Sequence, residues 1–167
     1  CRIAADTSSS MFKLDGVDFA YAPLKIITKD KEYVDTPELD VAAMMADLKA
    51  YKGTSGTSCP NMMEWLDSFG DAEHVFAIAI TSNLSGSCNA ARQAGEDYMD
   101  AHPGKKVCVL DSLSAGPEIR LIAERVREGA QAGKSFDEIE ADTRAYMQHT
   151  HLLFTLRSLN NLARNGR

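Results

Sequence analysis

The chain has 167 residues, of which 44% are hydrophobic and 25% charged, a balance that suits one domain with a substantial core and excludes a disordered segment. Its formal net charge is -6 and its Lys and Arg residues form no run, so the basic face that nucleic-acid phosphates or an anionic membrane surface would demand is missing. The longest strongly apolar run, residues 75–80, has the length of a strand and is far too short to span a bilayer.

Residues 2–5 predict a short strand that runs into the turn-forming cluster Asp6-Thr7-Ser8-Ser9-Ser10. After Asp15-Gly16, residues 22–28 and 32–34 flank Lys29-Asp30-Lys31, the pattern of a hairpin or of a strand with an exposed turn. Thr36-Pro37-Glu38 combines a capping hydroxyl, a first-turn proline and an early acid, which predicts a helix to about Lys52 with Val41, Met45 and Leu48 on its inner face. Lys52-Gly53-Thr54-Ser55-Gly56 reads as a flexible loop. Asn61 and Glu64 have capping-box spacing, and Met62, Trp65, Leu66 and Phe69 then recur at helical intervals before Gly70.

Residues 75–80 are apolar without alternation, as expected of a central parallel strand covered on both faces. The strand leads into Ser82-Asn83-Leu84-Ser85-Gly86-Ser87, and from Ser85 onward Cys88, Ala91, Ala94 and Tyr98 trace one helical face. Residues 107–110 predict another buried strand ending at Asp111-Ser112. Ile119, Ile122, Ala123 and Val126 give a helix that stops at Gly133, and Ser135 with Glu138 caps a last helix with Ile139, Thr143, Tyr146 and Met147 inward. Residues 151–156 predict a strand, and residues 160–167 a short helical segment with a glycine stop that looks like the start of a further domain. The strand and helix order implies right-handed crossovers and a mainly parallel sheet, with polar loops after Ala5, Ile80 and Leu110 at its carboxyl edge.

Two serine-rich loops, Thr57-Ser58-Cys59-Pro60-Asn61 and residues 82–87, each precede a helix, where free amides, hydroxyls and the helix dipole favour a carboxylate or phosphate. Neither loop carries a cation, and Ser, Thr and Asn also occupy such positions simply as capped turns. There is no Gly-x-Ser-x-Gly, dinucleotide fingerprint or P-loop, so hydrolase and nucleotide readings lack their sequence warrant. His149 and His151 would share one side of an extended segment, but two ligands without a third make no metal site. Asp6 and Asp111 are either a carboxylate pair for acid-base work or braces for their loops. Cys1, Cys59, Cys88 and Cys108 lack Cys-x-x-Cys spacing and read as reduced core thiols of a cytoplasmic protein, with Cys59 or Cys88 as the alternative reactive thiol. The N-terminus has no signal-peptide pattern, while a start at Cys1 leaves a removed leader open.

These motifs resemble those of the DegV family of bacterial fatty-acid-binding proteins. The family's Thr-Ser-x-Pro-Ser is similar to Thr57-Ser58-Cys59-Pro60-Asn61, and its Ser-Ser-x-Leu-Ser-Gly-Thr to Thr81-Ser82-Asn83-Leu84-Ser85-Gly86-Ser87. The opening strand with Asp6, Pro23-Leu24, Asp111-Ser112 and Asn165-Gly166-Arg167 in place of Gly-Gly-Arg extend the likeness along the chain. The resemblance implies an α/β fold with a mainly parallel sheet flanked by helices, and a non-enzymatic carrier without cofactor. Its ligand would be one long-chain fatty acid, with the carboxylate on the two loops and the tail in an apolar tunnel. Thr57 and Ser85 are the implied head-group ligands, with Ser58 and the backbone near Gly86 and Ser87 secondary. A fatty acid kinase is the implied partner, for phospholipid synthesis, and Arg164 and Arg167 are candidates for contact with it. Residues 1–150 would then be the head-group domain and 151–167 the start of a second α/β domain that is largely absent. A small carboxylated or phosphorylated metabolite, or less favourably a serine acyl hydrolase reaction at Ser85, are the rival readings.

Overall fold

The computed structural model describes residues 1–153 and 155. A four-stranded parallel sheet forms the centre, in the order β2 (Asp18–Ala22), β1 (Arg2–Asp6), β6 (His74–Ala79), β7 (Lys106–Asp111). Side chains of β1, β6 and β7 alternate between two cores. Ile3, Phe76, Ile78 and Leu110 face helices α4 (Pro117–Gln131) and α5 (Phe136–Met147). Ala4, Val75 and Ala77 face α2 (Met62–Phe69) and α3 (Ser87–Ala101). Covering on both faces is why residues 75–80 show no polar alternation.

Local signals place the helix ends. Asn61 and Ser135 accept from the amides of Glu64 and Glu138, whose carboxylates return to the capping residues, so both capping boxes are complete. Trp65 and Phe69 of α2 are fully buried, and Phe69 meets Tyr98 of α3 edge-on at 5.6 Å. On the other face Phe136 stacks on Phe76 at 4.6 Å. At Gly95 an added Cβ would stand 3.1 Å from Val107 Cγ1, so the absence of a side chain there lets α3 lie close on β7.

A second, antiparallel sheet lies outside the central one, ordered β4 (Glu32–Val34), β3 (Lys25–Ile27), β5 (Gly56–Ser58). The β3–β4 hairpin matches the expectation for that segment, whereas no local pattern announces β2 or β5. β2 pairs beside β1 after a connection without an α-helix, in which a 3-10 turn at Thr7–Ser9 is followed by the buried Met11 and Leu14. The stretch around Gly56 is therefore strand at its end rather than loop, because β3 supplies a pairing edge.

Helix α1 (Val41–Ala50) departs furthest from the sequence reading. It begins at Asp40, whose carboxylate accepts from Ala43 N at 2.9 Å, while residues 36–39 form a turn closed by Leu39 N to Thr36 O. Met44 is its buried residue; Val41 and Met45, expected inward, are 56% and 58% exposed. The helix lies beside the small sheet rather than on the central one, held by Tyr33 Oη to Asp47 at 2.8 Å and by Lys31 on the same carboxylate. The helix is present, but the stripe expected to face inward is largely exposed, and Met44, which lies outside it, is the residue that is buried.

His151–Leu153 are not strand, and Phe154 and Leu156 lie outside the described residues, so the expected last strand has no counterpart among those described. His149 sits in a turn after α5 instead of an extended segment, with its amide on Tyr146 O. No group of three or more metal-ligating side chains occurs among the described residues. No helix among them is long and apolar enough to cross a membrane.

Candidate ligand-binding site

The register of the parallel sheet aligns Ala5 with Ile78 and Ala79 with Asp111, so the loops after β1, β6 and β7 leave from one carboxyl edge. Asp6, fully buried at the end of β1, joins two of them. Its Oδ2 accepts from Ile80 N at 2.8 Å and Ser87 Oγ at 2.7 Å, and its Oδ1 accepts from Ser8 Oγ. Burial raises its pKa above the usual 3.8, against the opposing pull of these donors. Asp111 braces the same region, accepting from Ser82 N at 3.1 Å and Leu113 N at 3.2 Å. Of the two readings of these carboxylates, the geometry supplies the brace.

Between this edge and the small sheet lies a cavity of about 840 Å³. The polar side chains of its lining include Thr7, Ser8, Thr57, Ser58 and Ser85, together with Lys25, Tyr33 and Asp35. The apolar side chains of its lining include Leu24, Ile26, Leu39, Met44, Ile80 and Leu84. The two serine-rich loops meet there: a Cβ added to Gly86 would be 3.4 Å from Cys59 Sγ. The small sheet is tied to the edge by Leu24 N, which donates to Thr7 Oγ1 at 3.0 Å.

Each side chain's freedom differs. Thr57 Oγ1 has no hydrogen-bond partner among the described residues, and Ser85 Oγ accepts from Ser87 N at 3.2 Å, which leaves its proton to donate. Ser58 Oγ donates weakly to Cys59 O at 3.3 Å. Ser87 is fully buried, its hydroxyl on Asp6 and its amide on Ser85, and it does not line the cavity. The loop after β7 is also apart from the cavity; there Ser112 Oγ donates to Ser114 O and accepts from Ser114 N. Arg164 and Arg167 lie outside the described residues.

Gly86, on the cavity wall, is the N-cap of α3, so the positive end of that helix's dipole adjoins the cavity. Thr7 and Ser8 arrive from the loop after β1, one of the polar loops expected at the carboxyl edge, whereas sequence reasoning missed Lys25 of β3, which stands opposite Ser58 in the strand register. Lys25 pairs with Glu64 at 2.6 Å, and no local pattern near residue 25 signals that an acid in α2 will meet it.

The cysteines divide by burial. Cys88 and Cys108 are buried, with thiols pushed up to about 11 and about 12 by desolvation, which keeps them protonated and unreactive. Cys59 is half-buried on the cavity wall, and Cys1 is exposed, contrary to the expectation of a core thiol.

A family model described as "Uncharacterised protein, DegV family" matches residues 3–167. A DegV domain-containing protein of Streptococcus pneumoniae is 39% identical over 149 residues, covering 89% of this chain and 53% of the relative. The chain thus spans about half the length of the curated relatives it matches. Among solved structures, a DegV family protein from Eubacterium eligens loaded with heptadecanoic acid superposes with a TM-score of 0.95 at 42% identity, over 99% of this chain and 60% of the other. The Streptococcus pneumoniae Fatty Acid Kinase (Fak) B3 protein loaded with linoleic acid gives a TM-score of 0.95 at 36% identity, over the same shares.

Proposed function

The chain belongs to the DegV family, and on that premise we propose that it forms the head-group half of a carrier for one long-chain fatty acid. The observation that carries this reading is the mixed lining of one cavity, in which hydroxyls from both serine-rich loops stand beside apolar side chains. A fatty carboxylate would take donors from Thr57, Ser85 and the amides at Gly86, with Ser58 beside them, while the chain lies toward Ile26, Met44 and Leu84. Ser87 would act on the ligand only through Ser85 and Asp6. Neutral donors hold a carboxylate without fixing it in a strong ion pair, which suits a ligand that must be passed on.

The recipient in this reading is a fatty acid kinase in the cytoplasm, and two solved relatives carry fatty acids, one of them under the kinase's name. In this reading residues 1–150 are the head-group unit and 151–167 the start of a second one. A carrier role rather than catalysis is favoured because none of the side chains lining the cavity is a histidine, so Ser85 has no imidazole base among the described residues. Lipid extraction and native mass spectrometry of the purified protein test the reading. A retained long-chain acid is the expected result; recovery of only water-soluble carboxylates or phosphates would overturn it.

A further inference from the structure

Antiparallel pairing sets Thr57 on one side of Ile26 and Tyr33 on the other, so the three side chains form a row on one face of the small sheet, and all three line the cavity. Leu24, two residues before Ile26, shares that face and lines the cavity as well, and its amide bond to Thr7 marks the side nearest the carboxyl edge. The row that ends in Tyr33 is thus one step farther from that edge. Helix α1 lies over the same face. Its Val41 and Met44 line the cavity, and one turn on from Met44 the carboxylate of Asp47 accepts from Tyr33 Oη at 2.8 Å. The phenol therefore bridges sheet and helix. On the other side of this bridge is a second hollow of about 240 Å³, walled by Tyr33 and Asp47 together with Thr28, Lys31, Ala50 and Tyr51. Tyr33 lines both hollows, with the apolar Ile26 and Met44 on one side of it and mainly polar side chains on the other.

We propose that Tyr33, bridged to Asp47, is the partition that limits how long an acyl chain the cavity accepts. This rests on the fatty-acid reading above and specifies the chain length of the acid. A tail lying along Ile26 and Met44 gains from burial as far as the ring. Further methylenes meet the phenol, which its bond to Asp47 holds across the gap between sheet and helix. The stretch of α1 that walls the second hollow, from Asp47 to Tyr51, advances ~6 Å, which a straight hydrocarbon chain covers in about four to five methylenes.

The test is equilibrium binding of straight-chain saturated carboxylates in two-carbon steps from laurate to behenate. In the unaltered protein affinity should rise by about tenfold per step, pass through a maximum and then fall. Tyr33→Ala joins the two hollows and should move the maximum to an acid about four carbons longer. Tyr33→Leu keeps an apolar side chain in the row, which guards against loss of folding, and should move the maximum in the same direction by about two carbons. If Tyr33 merely braces α1, its variants weaken every acid by a similar factor and leave the maximum in place, and the proposal is overturned. Affinity that climbs through behenate without a maximum in the unaltered protein overturns it equally. Failure of the unaltered protein to bind any member of the series would remove the fatty-acid reading itself and this proposal with it.

Discussion

Replacing Asp6 separates a structural brace from an acid that merely occupies a loop. In Asp6→Ala, Ile80 N and Ser87 Oγ lose their acceptor in a fully buried position, and Ser8 Oγ loses its own. Two buried donors left without a partner cost about 1–3 kcal/mol each, so the domain should lose about 2–6 kcal/mol of a stability that is ordinarily about 5–15 kcal/mol. Asp6→Asn is milder for a reason visible in the geometry. Both buried donors point to the same oxygen, Oδ2, so one amide oxygen in that place serves both, and the amide nitrogen faces the Ser8 hydroxyl, which turns to accept. The charge assistance of these bonds goes, and the burial cost of the charge goes with it, so the net change is small. Urea unfolding followed by circular dichroism should lower the midpoint by roughly 1–3 M for Asp6→Ala and by well under roughly 1 M for Asp6→Asn, at constant slope. Because the same three bonds position the loops after β1 and β6, Asp6→Ala should also release fatty acid while Asp6→Asn retains it. Equal midpoints for the two variants would refute the brace.

Asp6 also makes a pH prediction. Its folded pKa is raised, so above the unfolded value near 3.8 the folded state binds more protons than the unfolded one, and the Asp6 contribution to stability falls as pH rises through that window. Subtracting the pH profile of Asp6→Asn from that of the unaltered protein should isolate this falling limb; a rising difference would contradict it. Thr57→Val, which is isosteric and removes a hydroxyl without a partner among the described residues, should leave the thermal midpoint unchanged and weaken oleate by roughly tenfold in a displacement titration. Ser87→Ala should behave in the opposite way, losing about 1–3 kcal/mol of stability through Asp6 in chemical denaturation. At Gly129 an added Cβ would lie 2.9 Å from Ile139 Cγ1, so Gly129→Val should destabilise the α4–α5 contact by about 1–3 kcal/mol despite leaving the helix without a glycine.

The local and periodic features of this protein are legible in its amino-acid order alone. The capping boxes at Asn61 and Ser135 place α2 and α5 because their bonds span three residues, and the unbroken apolar run at residues 75–80 marks a strand buried on both faces because both faces are covered by helices. The serine-rich loops could be seen as polar clusters before helices for the same reason. Tertiary structure decided which of those polar groups share a cavity and which are consumed elsewhere. Ser87 looks like its neighbours in the motif, yet its hydroxyl goes to Asp6, 81 residues away in the chain. Lys25 meets Glu64 from a distant part of the chain, and β5 exists only because β3 offers it an edge. The apolar stripe of α1 was legible, but its exposure was not, since a helical period reports which residues share a face and says nothing about what lies opposite that face. Pairing and burial depend on groups brought together by chain closure, and no short-range pattern encodes the partner.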